Sequence, residues 1–124
     1  MGRKNVIKHF NMLDNVSIAS SQTSEHTFVE SVDQASILID WSAGSTPIGV
    51  ITVESSNSTD SEFKSNTETW NEIDFGASID ISGATGYHQL IFTALPFRAI
   101  RIKYTRSSGS ALLTATIHAE SLGA

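Results

Sequence analysis

Ser61 and Lys64 stand three apart in SEFK (61–64). This is the spacing at which a lysine one helical turn away takes the proton of a nucleophilic serine. Here the pair lies in a run of Ser, Thr and Asn, without the S-D-N and K-T-G companions such a site requires, in a chain of only 124 residues. It reads as loop polarity. The four histidines, His9, His26, His88 and His118, are dispersed, no H-x-x-x-H spacing occurs, and there is no cysteine. Zinc ligation and general-base work both need convergent or oriented partners, so no catalytic residue, resident metal or cofactor is expected. His118 and Glu120 are two apart in an extended segment and are expected to pair on its outer face. Glu54, Asp60, Glu62, Glu68, Glu72 and Asp74 gather around one loop, and oxygen-rich loops can hold calcium. DSEFKS departs from the calcium-loop order at its third and fifth positions, which leaves calcium a minor alternative.

The residues better suited to binding are basic and aromatic. Arg98, Arg101 and Lys103, with Arg106, fall in one late extended segment. The first reading is a charged sheet edge that resists strand addition, the second a docking face for an acidic protein surface. Nucleic acid is disfavoured, because the chain carries a net charge of −5 and no exposed aromatic is clearly interleaved with those cations. Trp41, Trp70 and Tyr87 are the aromatic candidates. Trp70 closes a polar stretch of about a dozen residues, 56–68, long for a connection in a compact domain. It reads first as a packed base beneath a solvated loop and second as a platform for a stacked ligand.

The elements that must position these residues are extended. Ser and Thr supply 31 of 124 residues, and both compete with helical hydrogen bonding while Thr also favours strands. Period-2 alternation recurs over 26–32, 35–41, 48–55, 69–75, 87–95, 98–105 and 111–120, and NVIKHF (5–10) is a further edge strand. The pattern places Phe28 with Val32 on one face, and Ile37, Ile39 and Trp41 on another. The apolar run 48–55 predicts a strand covered on both sides. Turn residues separate the segments: SAGSTP (42–47), FGAS (75–78), SGATG (82–86), LP (95–96) and SSGS (107–110). Ser108-Gly109 predicts a two-residue hairpin that sets Lys103 opposite Thr114 and Tyr104 opposite Leu113, burying Ile100, Ile102, Tyr104, Leu113, Ala115 and Ile117 on one side. The fold class expected is all-β, an antiparallel β-sandwich or jelly roll of about eight strands.

A chain of this length makes one domain with a single core. Residues 1–13 are expected to form an N-terminal arm or edge strand, in which Ile7, Phe10, Met12 and Leu13 offer apolar surface for a neighbour. Residues 14–124 form the sandwich. No window is apolar enough to span a membrane, MGRKNVIKHFNML lacks a secretory h-region, and Val6 breaks the myristoylation pattern that Gly2 would open. No membrane partner is expected.

Two resemblances follow. GVITVESSNSTDSEFKSNTETWNEIDF resembles the V-x-V-x-x-S…W-x-x-L stretch of discoidin-like, galactose-binding-type jelly rolls, whose loop ends hold sugars, lipids or proteins. More of the chain is similar to small tailed-phage virion proteins: HFNML, ILIDWSAGSTPIGVITVESS, TWNEIDF and PFRAIRIKYTRSSGSALLTATIHAESLGA, with Trp41, Gly49, Ser55, Trp70, Arg98, Arg101, Tyr104 and Gly109 at the patterned places. Ser110 departs from it where a second glycine is common. That resemblance implies a structural or accessory protein of the capsid surface or head–tail region, made in the host cytoplasm and working in the virion. Its expected partners are other virion proteins and further copies of itself. The alternative is a carbohydrate-binding module that stacks surface glycans on Trp70, Trp41 or Tyr87, with loops 56–68 and 82–87 as walls. Exposure of the two tryptophans separates the two.

Overall fold

The computed structural model describes residues 3–123, with side chains from Lys8 to Ser121. Met1 and Gly2, and with them the myristoylation reading, lie outside the described residues, as does the side chain of Ile7. Among the described residues eight strands and one short helix follow one another: β1 (Arg3–Ser17), β2 (Gln22–Thr23), β3 (Thr27–Phe28), β4 (Gln34–Ser56), α1 (Asp60–Lys64), β5 (Asn71–Glu72), β6 (Ile79–Ser82), β7 (Gly86–Phe92) and β8 (Ala99–Gly123). Every pairing is antiparallel, and all strands belong to one sheet.

The spine is the pair β4·β8. Both strands exceed twenty residues, and they run side by side from Gln34↔Glu120 to Ser56↔Ala99. Midway the register shifts between Ser42 and Gly49, opposite Arg106–Leu112. There Ala43 and Thr46 in β4 and Gly109 in β8 take positive φ (53°, 46° and 72°). Extra residues of this kind bend a ribbon and increase its twist. The bend divides the sheet into two halves that share one core. In the first half, β1 and β7 flank the C-terminal part of β8 and the N-terminal part of β4. In the second half, β2 and β3 line β8 on one side, and β5 and β6 line β4 on the other.

Alternation explains what is buried. Ile37, Ile39, Trp41, Leu113, Ala115 and Ile117 point inward from the first half. Ile51, Val53, Ile79, Ile81, Ile100, Ile102 and Tyr104 point inward from the second, and all pack in one cluster. This is a β-sandwich of eight strands, made by folding one sheet over itself. Tyr104 is fully buried with its hydroxyl unpartnered, and burial raises its pKa above the ordinary tyrosine value.

Several sequence expectations are corrected. Residues 98–120 form no hairpin. The chain passes straight through Ser108-Gly109, so Lys103 lies opposite Thr52 and Thr23, and Thr114 opposite Asp40. The faces were assigned correctly because a hairpin and a bent strand share the same alternation; they differ only in partner. SAGSTP (42–47) is the matching bend within β4. Residues 48–55 are covered on one face only: Ile51 and Val53 are buried, while Ile48 and Val50 are exposed. Phe28 and Val32 do not share a face, since β3 ends at Phe28, which points outward, and Val29 and Val32 turn in. Of 69–75, only Asn71–Glu72 pairs. Residues 3–17 form a strand hydrogen-bonded to β8 at one end of the sheet, the place that the edge-strand alternative for 1–13 describes. Leu13 is buried, Met12 packs partly against the core, and Phe10 is exposed.

Candidate functional site

The polar stretch 56–68 is folded. Thr59 caps α1: its hydroxyl accepts from the Glu62 N–H at 3.3 Å, and the Glu62 carboxylate accepts from the Thr59 N–H at 2.9 Å. This reciprocal capping box holds the Glu62 pKa below the ordinary carboxylate value, the backbone N–H of Thr59 contributing most and its hydroxyl next. The helix turns Phe63 down onto the outer face of the second half-sheet, where it is buried. There it meets His26 at 4.9 Å between ring centroids, Phe28 at 5.2 Å and Trp70 at 6.0 Å. Four aromatic rings thus form a small cluster outside the sandwich, with Phe63 buried at its centre.

Two of the sequence-selected cations seal it. Arg98 lies over Phe28 and Phe63, 5.6 and 5.5 Å from their centroids. It donates to the Ser58 carbonyl at 2.7 Å, pairs with Asp60, and approaches Glu30 at 3.4 Å. Arg101 covers Trp70 at 4.3 Å and donates to Glu54 at 2.8 Å. Both guanidiniums are thus committed to carboxylates and rings of this chain, the geometry in which cation–π contact adds to an ion pair. Lys103 is exposed between Thr23 and Thr52. Arg106 turns to the Gly109 carbonyl at 2.9 Å. The four cations therefore do not form one common docking stripe.

The aromatic candidates separate likewise. Trp41 is 6% exposed, its ring packs against Gly86, and its N–H donates to the Gly83 carbonyl at 3.2 Å. Stacking of a sugar on Trp41 is excluded by that burial. Trp70 is half-buried, with Arg101 over one ring face. Tyr87 is 73% exposed on β7.

Three of the six acidic residues around the loop do structural work in separate places: Glu54 on Arg101, Asp60 on Arg98, Glu62 in the cap. Among the described residues no three His, Asp or Glu side chains converge as a metal site would require. His118 and Glu120 do pair, at 3.1 Å, and Gln34 donates to the other Glu120 oxygen at 2.8 Å. His9 on β1 brings its Nδ1 to 2.9 Å from that of His118, which ties the edge strand to the sheet.

A second surface escaped sequence reasoning. β7 pairs with β4 on one side only. Its outward residues Tyr87 and Ile91, 73% and 70% exposed, are the two most exposed large hydrophobics among the described residues, and Leu38 stands beside them on β4. A shallow groove lined by Ser36, Gln89, Ile91 and His118 runs along this face. The signal was present in GYHQLIF (86–92), seven residues without a charge or a proline.

Compared with protein-family models, with curated proteins and with solved structures, the chain matches none.

Proposed function

We propose that this protein is a non-enzymatic structural or accessory component of a phage particle, on the capsid surface or in the head–tail region, acting through protein–protein assembly. The observation that carries the assembly reading is the uncharged β7 edge with Tyr87 and Ile91 standing into solvent. Apolar side chains grouped on an open strand mark a surface that another chain covers. The virion setting draws its support from the sequence pattern of residues 37–56 and 96–124, which fall largely in β4 and β8. The glycan-module alternative loses Trp41 to the core and one face of Trp70 to Arg101.

Light scattering on the purified protein tests the reading. The expected result is a single species at two or more times the 13.4 kDa chain mass. A strict monomer at every concentration reached overturns self-assembly.

A further inference from the structure

Sheet edges in natural proteins are guarded by charge, proline, bulges or brevity. Most edges of this sheet carry such a guard. β1 has three register shifts against β8, between Val6 and Val16. β2, β3 and β5 are two residues each. β6 is four residues long and exposes Asp80. β7 has none of these devices. Its seven residues pair with β4 in unbroken register from Trp41↔Gly86 to Ala35↔Phe92, and its sequence holds no Lys, Arg, Asp, Glu or Pro.

We propose that β7 pairs antiparallel with β7 of a second copy of this chain, about a two-fold axis at Gln89, joining the two first half-sheets into one. This rests on the assembly reading above and names its partner. The strand is self-complementary in that register. A two-fold at residue 89 sets Tyr87 opposite Ile91 of the second copy, and Ile91 opposite its Tyr87, both on the outer face. Aromatic opposite β-branched is among the favourable cross-strand combinations. Each Tyr87 ring then lies at the mouth of the groove that Ser36, Gln89, Ile91 and His118 line in the other copy. On the inner side His88 meets Leu90. An isologous contact of this kind closes at a dimer, and two acidic chains, each of net charge −5, meet along a strand that adds no charge of its own.

The register makes a charge test specific. Tyr87→Lys with Ile91→Lys places lysine opposite lysine twice, whereas Tyr87→Lys with Ile91→Glu places lysine opposite glutamate twice. In sedimentation the wild type should run at twice 13.4 kDa, the Lys/Lys variant at the single mass with unchanged circular dichroism, and the Lys/Glu variant again as a dimer. The chain has no cysteine, so Gln89→Cys gives a unique thiol at the axis. Paired residues on adjacent strands lie within disulfide reach, so this variant should oxidise to a covalent dimer while Lys64→Cys on α1 does not. The cross-linking result decides should a doubly charged variant fail to fold. If the wild type is oligomeric, but both charge variants keep that mass and Gln89→Cys fails to cross-link, the β7 seam is wrong and the assembly reading stands. If the wild type is a strict monomer, self-assembly falls and the seam with it.

Discussion

At the scale of single residues, the side chains with the most chemical character are spent on holding the fold. Arg98 and Arg101 each serve two masters, a carboxylate and an aromatic face. Trp41 gives its N–H to a loop carbonyl. Tyr104 is different, a fully buried phenol with no partner for its hydroxyl. An unpaired buried hydroxyl costs about 1–3 kcal/mol, so Tyr104→Phe is expected to be neutral or to stabilise by roughly 1 kcal/mol in urea unfolding. Its pKa is raised in the folded state. Stability is therefore whole below the ordinary tyrosine range and declines as pH rises through the folded value, because the unfolded chain loses its proton first. The chain has two tyrosines. In a Tyr87→Phe variant tyrosinate absorbance should therefore rise above the ordinary range and together with unfolding. A rise at ordinary tyrosine pH, with the fold intact, would contradict the burial.

At the scale of elements, α1 is a five-residue helix, too short to stand alone. It persists because the capping box fixes its start and Phe63 anchors it. Phe63→Ala should cost about 3 kcal/mol, at the low end for an aromatic because the cluster is peripheral, and should leave Trp70 more solvated, read as a red-shifted emission. The lowered Glu62 pKa gives the helix an acid dependence of definite sign. Its contribution is complete above the ordinary glutamate range and is lost as pH falls through the lowered folded value. Protection of the Phe63 amide, which donates to the Thr59 carbonyl at 3.1 Å, measured as exchange relative to the intrinsic rate at each pH, should fall on acidification in the wild type. Glu62→Gln keeps a capping partner and should show no such loss of protection.

The sequence carried the inward face of β8 and of the first part of β4 almost residue for residue, because burial on one side imposes a period of two. Partners were another matter. TDSE (59–62) spells the capping box, but a helix of one turn produces no periodicity to draw notice. The gathering of His26, Phe28, Phe63 and Trp70 joins three distant segments, and no local pattern encodes it. β7 was legible as a strand, but only the sheet order reveals it as an edge. The binding residues read from sequence were chosen for charge and aromaticity. Of them, Arg98 and Arg101 find partners within the chain, Trp41 enters the core, and Tyr87 and Lys103 remain at the surface.

At the scale of the whole molecule, the sandwich depends on one bend, where the breaker runs 42–47 and 107–110 meet. A hairpin would leave Gly109 at an exposed tip. In the bent ribbon a Cβ on Gly109 would fall 2.0 Å from the Thr46 carbonyl oxygen and 2.7 Å from that of Ser45, both backbone atoms of the adjoining strand. Gly76 supplies the control. Its φ of 82° is close to the 72° of Gly109, but nothing lies within 4 Å of a Cβ placed there. Gly76→Ala therefore incurs only the left-handed backbone term, about 1–2 kcal/mol. Gly109→Ala incurs the same term plus overpacking of roughly 1–3 kcal/mol, and it must push β4 away from β8 at the fold of the sandwich. Chemical unfolding of the two variants side by side should show the Gly109 substitution costing about twice as much or more. Equal costs would mean that β4 does not lie against Gly109, and that the two halves of the sheet are not joined through a continuous β8.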